Sequence, residues 1–338
     1  MIEIDGSAGE GGGQILRSSL GLSLLTGTPF RIYSIRARRD NPGLQRQHLA
    51  AVKAAAEVGK ADVKGAAIGS REVVFRPGQV EPGRYAFSVG SAGSATLVFQ
   101  TVLPALLTAS GPSTLALEGG THNPWAPPFD FLEKAFLPLL NRMGPKVSAT
   151  LERRGFYPAG GGRAEIRIEP TAKLAPLELL ERGAVRNTRA TAIVSSLSPE
   201  IGRRELRALG QKLDCTSTRV VEDRTSPGPG NAVVVEIESE HVTEVFTGFG
   251  EKRVSAEKVG ALVGDEAKAY LESGAPVGEH LADQLLIPLA LAGAGAFVTA
   301  ELSTHATTNM DVIGLFLGTK FERGPLPGGG VRIGVRRS

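Results

Sequence analysis

The order of predicted elements repeats along this chain, and such a repeat restricts the possible folds more than any figure of composition does. Apolar alternation and helical spacing read as a strand at Met1–Asp5, a glycine turn, a helix over about Gly13–Leu25, a strand at Phe30–Ala37 and a helix over Pro42–Val58. Two strands close the unit, near Ala61–Lys64 and Val73–Arg76. The same order follows again: a strand at Tyr85–Val89, the turn Gly90-Ser-Ala-Gly-Ser and a helix through Leu97, Val98, Val102 and Leu106 come first. A strand at Thr114–Glu118, a helix from about Pro128 to Met143 and strands near Val147–Glu152 and Ala164–Ile168 complete it. A third copy near the C-terminus has a helix at His280–Leu291, a strand at Phe297–Leu302, a helix at Met310–Leu317 and strands at Lys320–Arg323 and Val331–Val335.

The expected fold class is therefore α/β (α+β), with three βαβαββ repeats forming one large domain over residues 1–182 and 274–338. Residues 183–273 break the rhythm and read as a small inserted α+β domain. Its strand candidates are Ala190–Ser195 and Ala232–Ile237, its helix candidates Glu200–Leu213 and Ser255–Leu271, and Pro227-Gly-Pro-Gly marks a hairpin. The charges on its first helix, Arg203, Arg204, Arg207 and Lys212, read as a solvated face. Equivalent strands of the three units lead into Arg36-Ala-Arg-Arg-Asp-Asn-Pro, Gly120-Thr-His-Asn-Pro and Ser303-Thr-His-Ala-Thr-Thr-Asn. Since α/β sheets bind ligands beyond the carboxyl ends of their strands, these three polar segments are expected to converge on one pocket.

At 338 residues, 41% apolar and 22% charged, the chain has the length and composition for about two globular domains. A lone cysteine, Cys215, excludes an internal disulfide framework and a cysteine zinc cluster, and with no signal-peptide pattern at the N-terminus the reading is cytoplasmic. Ser88–Leu117 carries no charge, but recurrent Ser, Thr and Gly together with Gln100 and Pro104 make it a buried core helix and not a membrane span. The net charge of +3 hides a local excess between Arg31 and Lys53, where Arg31, Arg36, Arg38, Arg39, Arg46 and Lys53 face only Asp40. That is the signature of a local anion site.

Gly9–Arg17, GEGGGQILR, joins the first strand to the first helix, a place where backbone N–H groups can meet an anion. It is neither GxxxxGK[ST] nor GxGxxG, because Gln14 stands where the latter needs its third glycine. Glu10 and Arg17 suggest a divalent metal beside a phosphate; a surface ion pair at an N-terminal turn is the plainer reading. Among the five histidines, His305 follows a buried-looking strand in a segment too polar for a core, and His122 holds the matching place in the second unit. Either can be a nucleophile or a hydrogen-bonded strand-end histidine, and sequence position alone does not choose between them. His280, Asp283 and Gln284 share one face at a helix start, and Arg46, Gln47 and His48 begin another beside Arg36 and Arg39.

Taken together, EGGGQILR at 10–17, SIRA at 34–37, NPGLQRQHL at 41–49, GSAGS at 90–94, HNPWAPP at 122–128, GFYPAGGG at 155–162, GEKRVSAE at 250–257, GEHLADQ at 278–284 and the His305 segment resemble the RNA 3′-terminal phosphate cyclases. The resemblance runs through nearly the whole chain in order. It implies an ATP-dependent enzyme that converts an RNA 3′-phosphate end to a 2′,3′-cyclic phosphate through a covalent histidine-AMP. It makes His305 the nucleophile, Glu10 the holder of Mg²⁺ or Mn²⁺, and Gln100, Pro127, His280, Leu281, Ala282, Asp283 and Gln284 the ATP contacts, with Asp283 also orienting His305. Arg17, Arg36, Arg39, Gln47 and His48 would receive phosphates of ATP or of the RNA end. His280 stands where some members have tyrosine, which keeps a stacking role on adenine open. A second nucleophile at the 2′-hydroxyl would make RNA, and not DNA, the partner that cyclises. Three rivals stand beside this reading: a non-catalytic relative lacking the histidine, a lysine-dependent nucleotidyl transferase, for which the chain has no KxDG, and a small-molecule transferase of the same fold type.

Overall fold

The computed structural model describes residues 1–336. The first unit runs β1 (Ile2–Asp5), α1 (Gly13–Thr26), β2 (Phe30–Tyr33), α2 (Arg46–Val58), β3 (Asp62–Lys64) and β4 (Val73–Arg76). The second runs β5 (Arg84–Ser88), α3 (Ala95–Leu106), β6 (Ser113–Gly119), α4 (Phe129–Phe131), α5 (Leu137–Arg142), β7 (Lys146–Arg153) and β8 (Gly162–Glu169), with a π-helical turn at Leu132–Phe136 joining α4 to α5. Both sheets have one strand order, β1-β2-β4-β3 and β5-β6-β8-β7, with the first pair parallel and the others antiparallel.

The third unit has the same sheet, and its opening strand, unseen in the sequence, lies on the far side of the insertion. β9 (Leu177–Leu179) pairs in parallel with β14 (Ala294–Thr299), and β15 (Lys320–Pro325) and β16 (Val331–Arg336) complete the order β9-β14-β16-β15. Leu177–Leu179 was not marked by alternation in the sequence, and its parallel pairing with β14 reveals it. Between them come β10 (Val185–Ser195), α6 (Pro199–Gly210), β11 (Ser217–Asp223), β12 (Gly230–Ser239), β13 (Thr243–Phe249) and α7 (Ala256–Ser273), followed by α8 (Glu279–Ala292) and, after β14, α9 (Thr304–Leu317). The inserted strands form their own sheet, β11-β10-β12-β13, with a separate apolar cluster of Leu209, Val233, Val235, Val263 and neighbours beneath α6 and α7. On the outer face Arg204 pairs with Glu257 and Lys212 with Asp265, tying α6 and the turn that follows it to α7 in solvent.

Helix α1 is the centre of the body. It packs against α2, α3 and α9, and Gln14, Ile15, Leu16, Leu20, Leu22 and Leu24 are all buried. Gly21 sets the approach of α3, since a Cβ there would stand 2.7 Å from the Thr101 carbonyl. The serines of this helix keep their hydroxyls satisfied, Ser19 by the Ile15 carbonyl at 2.7 Å and Ser23 by the Thr28 carbonyl at 2.6 Å. Every residue of α3 but Gln100 is buried, as expected for its uncharged run. Among the described residues no helix is long and apolar enough to cross a membrane.

Three boundaries differ from the sequence reading in ways that matter for function. β2 ends at Tyr33 because Ser34 and Arg36 adopt left-handed backbone, each at φ 53°. α2 begins at Arg46, four residues later than expected, because Pro42-Gly43 forms a turn with Gly43 at φ 78° packed against Gly69. α9 begins at Thr304, so His305 is in a first helical turn and not at a strand end. Ser303 Oγ accepts the Ala306 N–H at 3.1 Å, and Thr308 Oγ1 folds back on the Thr304 carbonyl at 2.7 Å. The cap and the packing on α1 override the weak helix propensity of the Thr-Thr-Asn stretch.

Candidate active site

A cleft of about 660 Å³ opens where the three units and the inserted sheet meet. All three junction segments reach it: Arg36 and Arg39 from the first, Pro124 from the second, and Ser303, His305 and Asn309 from the third. One half is polar and cationic, the other apolar with Leu97, Leu103, Phe131, Phe136, Ile287 and Phe249. The division suits a nucleotide, with phosphates at one end and a base at the other.

At the polar end His305 Nδ1 lies 3.0 Å from Gln14 Oε1. The Gln14 amide nitrogen donates to both carboxylate oxygens of Asp283, at 2.7 and 2.8 Å. Asn309 Nδ2 also donates to Asp283 Oδ1 at 2.9 Å, and Ser18 donates to Asn309 Oδ1 at 2.7 Å. The chain of bonds sets a tautomer. With its NH₂ committed to a carboxylate, Gln14 turns its carbonyl oxygen to His305, so Nδ1 carries the hydrogen and Nε2 keeps its lone pair. Asp283 thus reaches His305 through Gln14.

Electrostatics hold the imidazole in its neutral form. Burial lowers the His305 pKa below its usual 6.5, and Arg17, Arg39 and His280 act in the same direction against Asp283. Burial pushes the Asp283 carboxyl up, opposed by its bonds to Asn309 and Gln14 and by His305 and Arg17. Arg17, brought down to about 10 by burial and supported by Asp283, stays charged near neutral pH.

His48 is a neutral donor in the same cluster. Burial, Arg17 and Arg36 lower its pKa to about 3, and its Nδ1 accepts the Gln45 N–H at 3.1 Å as part of the α2 cap. Its hydrogen is therefore on Nε2, beside Gly13 and Arg17. Arg17, Arg36, Arg39, Gln47 and His48 all line the cleft. Arg36 spends one nitrogen on its own loop, donating to the Asn41 carbonyl and to the Gly43 carbonyl at 3.1 Å. Of the other basic residues in that stretch, Arg31 lies outside the cleft and pairs with Glu3 and Glu72.

Glu10 closes the polar end. Arg39 pairs with its Oε1, His305 Nε2 is 3.7 Å from the same oxygen, and Oε2 is buried without a partner. Among the described residues no group of three or more His, Cys, Asp or Glu could hold a metal by itself. A single carboxylate with an orphaned oxygen still fits Mg²⁺, which binds through one or two carboxylates and substrate phosphates.

At the apolar end Pro127, Gln100, His280 and Gln284 face the cleft, and Gln100 donates to Gln284. Leu281 and Ala282 do not: they are 0% and 1% exposed and point into the core from the opposite side of α8. Neither lines the cleft, so of the His280–Gln284 stretch only His280, Asp283 and Gln284 reach it. His122 stands apart from the cleft. It is buried against Phe156, bonded to Asp130 at 2.9 Å and to Thr121 at 2.8 Å, and does not line the cleft.

The family model of RNA 3′-terminal phosphate cyclase matches residues 8–323. The chain belongs to the RNA 3′-terminal phosphate cyclase family. Two curated relatives carry that name: one from Koribacter versatilis, 53% identical over 324 residues, or 95% of this chain and 91% of the relative, and one from Ralstonia nicotianae, 55% identical over 317 residues, or 94% and 91%. RNA 3′-terminal phosphate cyclases are enzymes, and this member presents a half-exposed histidine, a cationic cluster and an apolar pocket in one cleft. Sequence reasoning missed Gln14, Asn309 and Ser18 as part of the site. Gln14 was visible only as the residue that spoils a glycine motif, and Asn309 only as the end of a polar segment.

Proposed function

We propose that this chain, working in the cytoplasm, cyclises RNA 3′-phosphate ends with ATP, using His305 as a covalent nucleophile. The observation that carries the reading is the His305–Gln14–Asp283 relay, which leaves the Nε2 lone pair free in a cleft lined by Arg17, Arg36, Arg39 and His48. Nε2 forms a bond to the α-phosphorus of ATP while the bond to the bridging oxygen breaks, and pyrophosphate leaves with the electron pair. Gln14 keeps Nδ1–H in place, and Asp283 behind it stabilises the positive charge that grows on the ring. A terminal oxygen of the RNA 3′-phosphate then attacks the AMP phosphorus, and the electron pair of the N–P bond returns to Nε2. Finally the 2′-hydroxyl oxygen bonds the activated 3′-phosphorus, its proton is lost and AMP departs.

The arginines and the neutral His48 donor hold phosphate oxygens through charge-assisted and neutral hydrogen bonds. Glu10 would hold a Mg²⁺ or Mn²⁺ ion, which when bound offsets charge on the triphosphate. Pro127 and His280 bracket the apolar end, where the adenine would lie, with Gln100 and Gln284 offering polar edges. The test is ATP labelled in its α-phosphate: the protein should acquire acid-labile, alkali-stable AMP, and His305→Ala should acquire none and form no cyclic ends. A His305→Ala protein that labels and cyclises like its parent rejects the mechanism.

A further inference from the structure

The chain's single tryptophan, Trp125, is also its most exposed large apolar side chain, at 77%, and it lines the mouth of the cleft. Tyr157, 60% exposed, stands edge-on to it with ring centroids 6.1 Å apart at 78°. Two large rings left in solvent side by side need a reason, because each forgoes burial that the core would reward. Tyr157 does not line the cleft, so the pair extends outward from its mouth.

Both rings stand on loops that are firmly anchored. Asn123 donates to the Ala92 carbonyl at 2.6 Å and Thr96 to the Pro127 carbonyl at 2.8 Å, fixing the segment on either side of Trp125. Thr121 and Gly155 exchange bonds at 2.9 and 3.0 Å, and Arg153 holds the Gly161 carbonyl at 2.8 Å, fixing the loop of Tyr157. The pair also connects to the phosphate cluster. Ser94 N–H reaches Gln47 Oε1 at 3.4 Å, and the adjoining Ser91–Ala92 backbone lies under Gly160, where a Cβ would come within 2.7 Å of the Ser91 carbonyl. One loop, 90–94, thus separates Gln47 from the two aromatic loops.

We propose that Trp125 and Tyr157 form a stacking platform for the last bases of a single-stranded RNA whose 3′-phosphate enters the cleft. The inference rests on the proposed function, and it deepens it by naming how the strand is held. A strand with its terminal phosphate against Arg36, Arg39 and Gln47 passes over the 90–94 loop and meets the rings next. Every base has a π-face, so this platform recognises single strands with little preference for sequence.

The experiment uses the full-length protein and a 3′-phosphorylated single-stranded RNA of roughly six nucleotides. Trp125 supplies the entire tryptophan emission, so RNA binding should quench it, while an RNA abasic at its last two positions should bind with little quenching. Measured by polarisation of labelled RNA, Trp125→Ala should bind the intact strand about 5- to 100-fold more weakly, Trp125→Phe should retain most affinity, and parent and Trp125→Ala should bind the abasic strand alike. If the intact RNA binds without quenching and Trp125→Ala binds it like the parent, the platform is rejected and the proposed function stands. ATP alone producing the full quench also rejects it, because Trp125 would then cover the nucleotide. A parent protein that neither binds nor cyclises the RNA rejects the proposed function itself.

Discussion

Gln14 Oε1 and His305 Nδ1, 291 residues apart in sequence, meet at 3.0 Å. Gln14 is anchored on the other side by two bonds to Asp283, so the neutral amide transmits the orientation of a carboxylate to the imidazole without placing a negative charge against it. Replacing Gln14 with Leu keeps the volume but frees the ring to take either tautomer. Transfer of AMP to the protein should slow about 10- to 100-fold in single-turnover measurements. A Gln14→Leu protein that adenylates at the parent rate would remove the relay from the mechanism.

In the proposed mechanism His305 attacks in its deprotonated form, and its pKa is lowered from 6.5. Adenylation should therefore rise with pH through a midpoint below 6.5 and be flat above it. Rates of AMP transfer measured from pH 4.5 to pH 8 check this. A midpoint at or above 6.5 contradicts the shift, since the form that attacks would then be scarce where the geometry says it is abundant.

Glu10 Oε2 is the one oxygen of that carboxylate left without a partner. Glu10→Ala should raise the Mg²⁺ concentration needed for half-maximal adenylation by about tenfold or more, while saturating metal restores part of the rate. Titrating Mg²⁺ in parent and variant gives the answer; an unchanged midpoint takes Glu10 out of the metal site.

His122 has a structural task. Burial alone would raise the Asp130 carboxyl, but the hydrogen bond and charge of His122, with Lys134 and Arg154, hold it well below its usual value of 3.8. His122→Ala leaves that carboxylate buried and short of a partner, at a cost of about 3–5 kcal/mol in unfolding free energy near neutral pH. A group with a depressed pKa contributes stability above its unfolded value that is lost as pH falls, so the deficit should be smaller at acid pH, where the carboxyl takes up a proton. Denaturant unfolding at pH 7 and pH 3 tests both parts, and a variant as stable as the parent at pH 7 refutes the assignment.

Much of the fold was legible because it depends on local patterns. Apolar spacing marked α1, α3 and the paired strands of the first two units, and their repetition predicted the third. What escaped was short or non-local. β9 has three residues and pairs across the whole insertion, and β11 and β13 have polar residues at positions that a strand pattern would reserve for the core. The first turn of α9 reads as a loop by propensity and becomes a helix through the Ser303 cap and its packing on α1.

The candidate site divides in the same way. Amino-acid sequence alone determined which chemistries are available: a histidine in a polar segment, an arginine cluster, one lone carboxylate in a glycine turn, and a helix start with His280, Asp283 and Gln284 on one face. It could not separate His305 from His122, because equivalent places in two repeats look alike until burial is known. Only the tertiary structure decided that His122 is enclosed with Asp130 while His305 stands half-exposed in the cleft. It alone brought Gln14 between His305 and Asp283, because a hydrogen bond depends on distance in space, and the packing of α1 against α9 sets that distance across almost the full length of the chain.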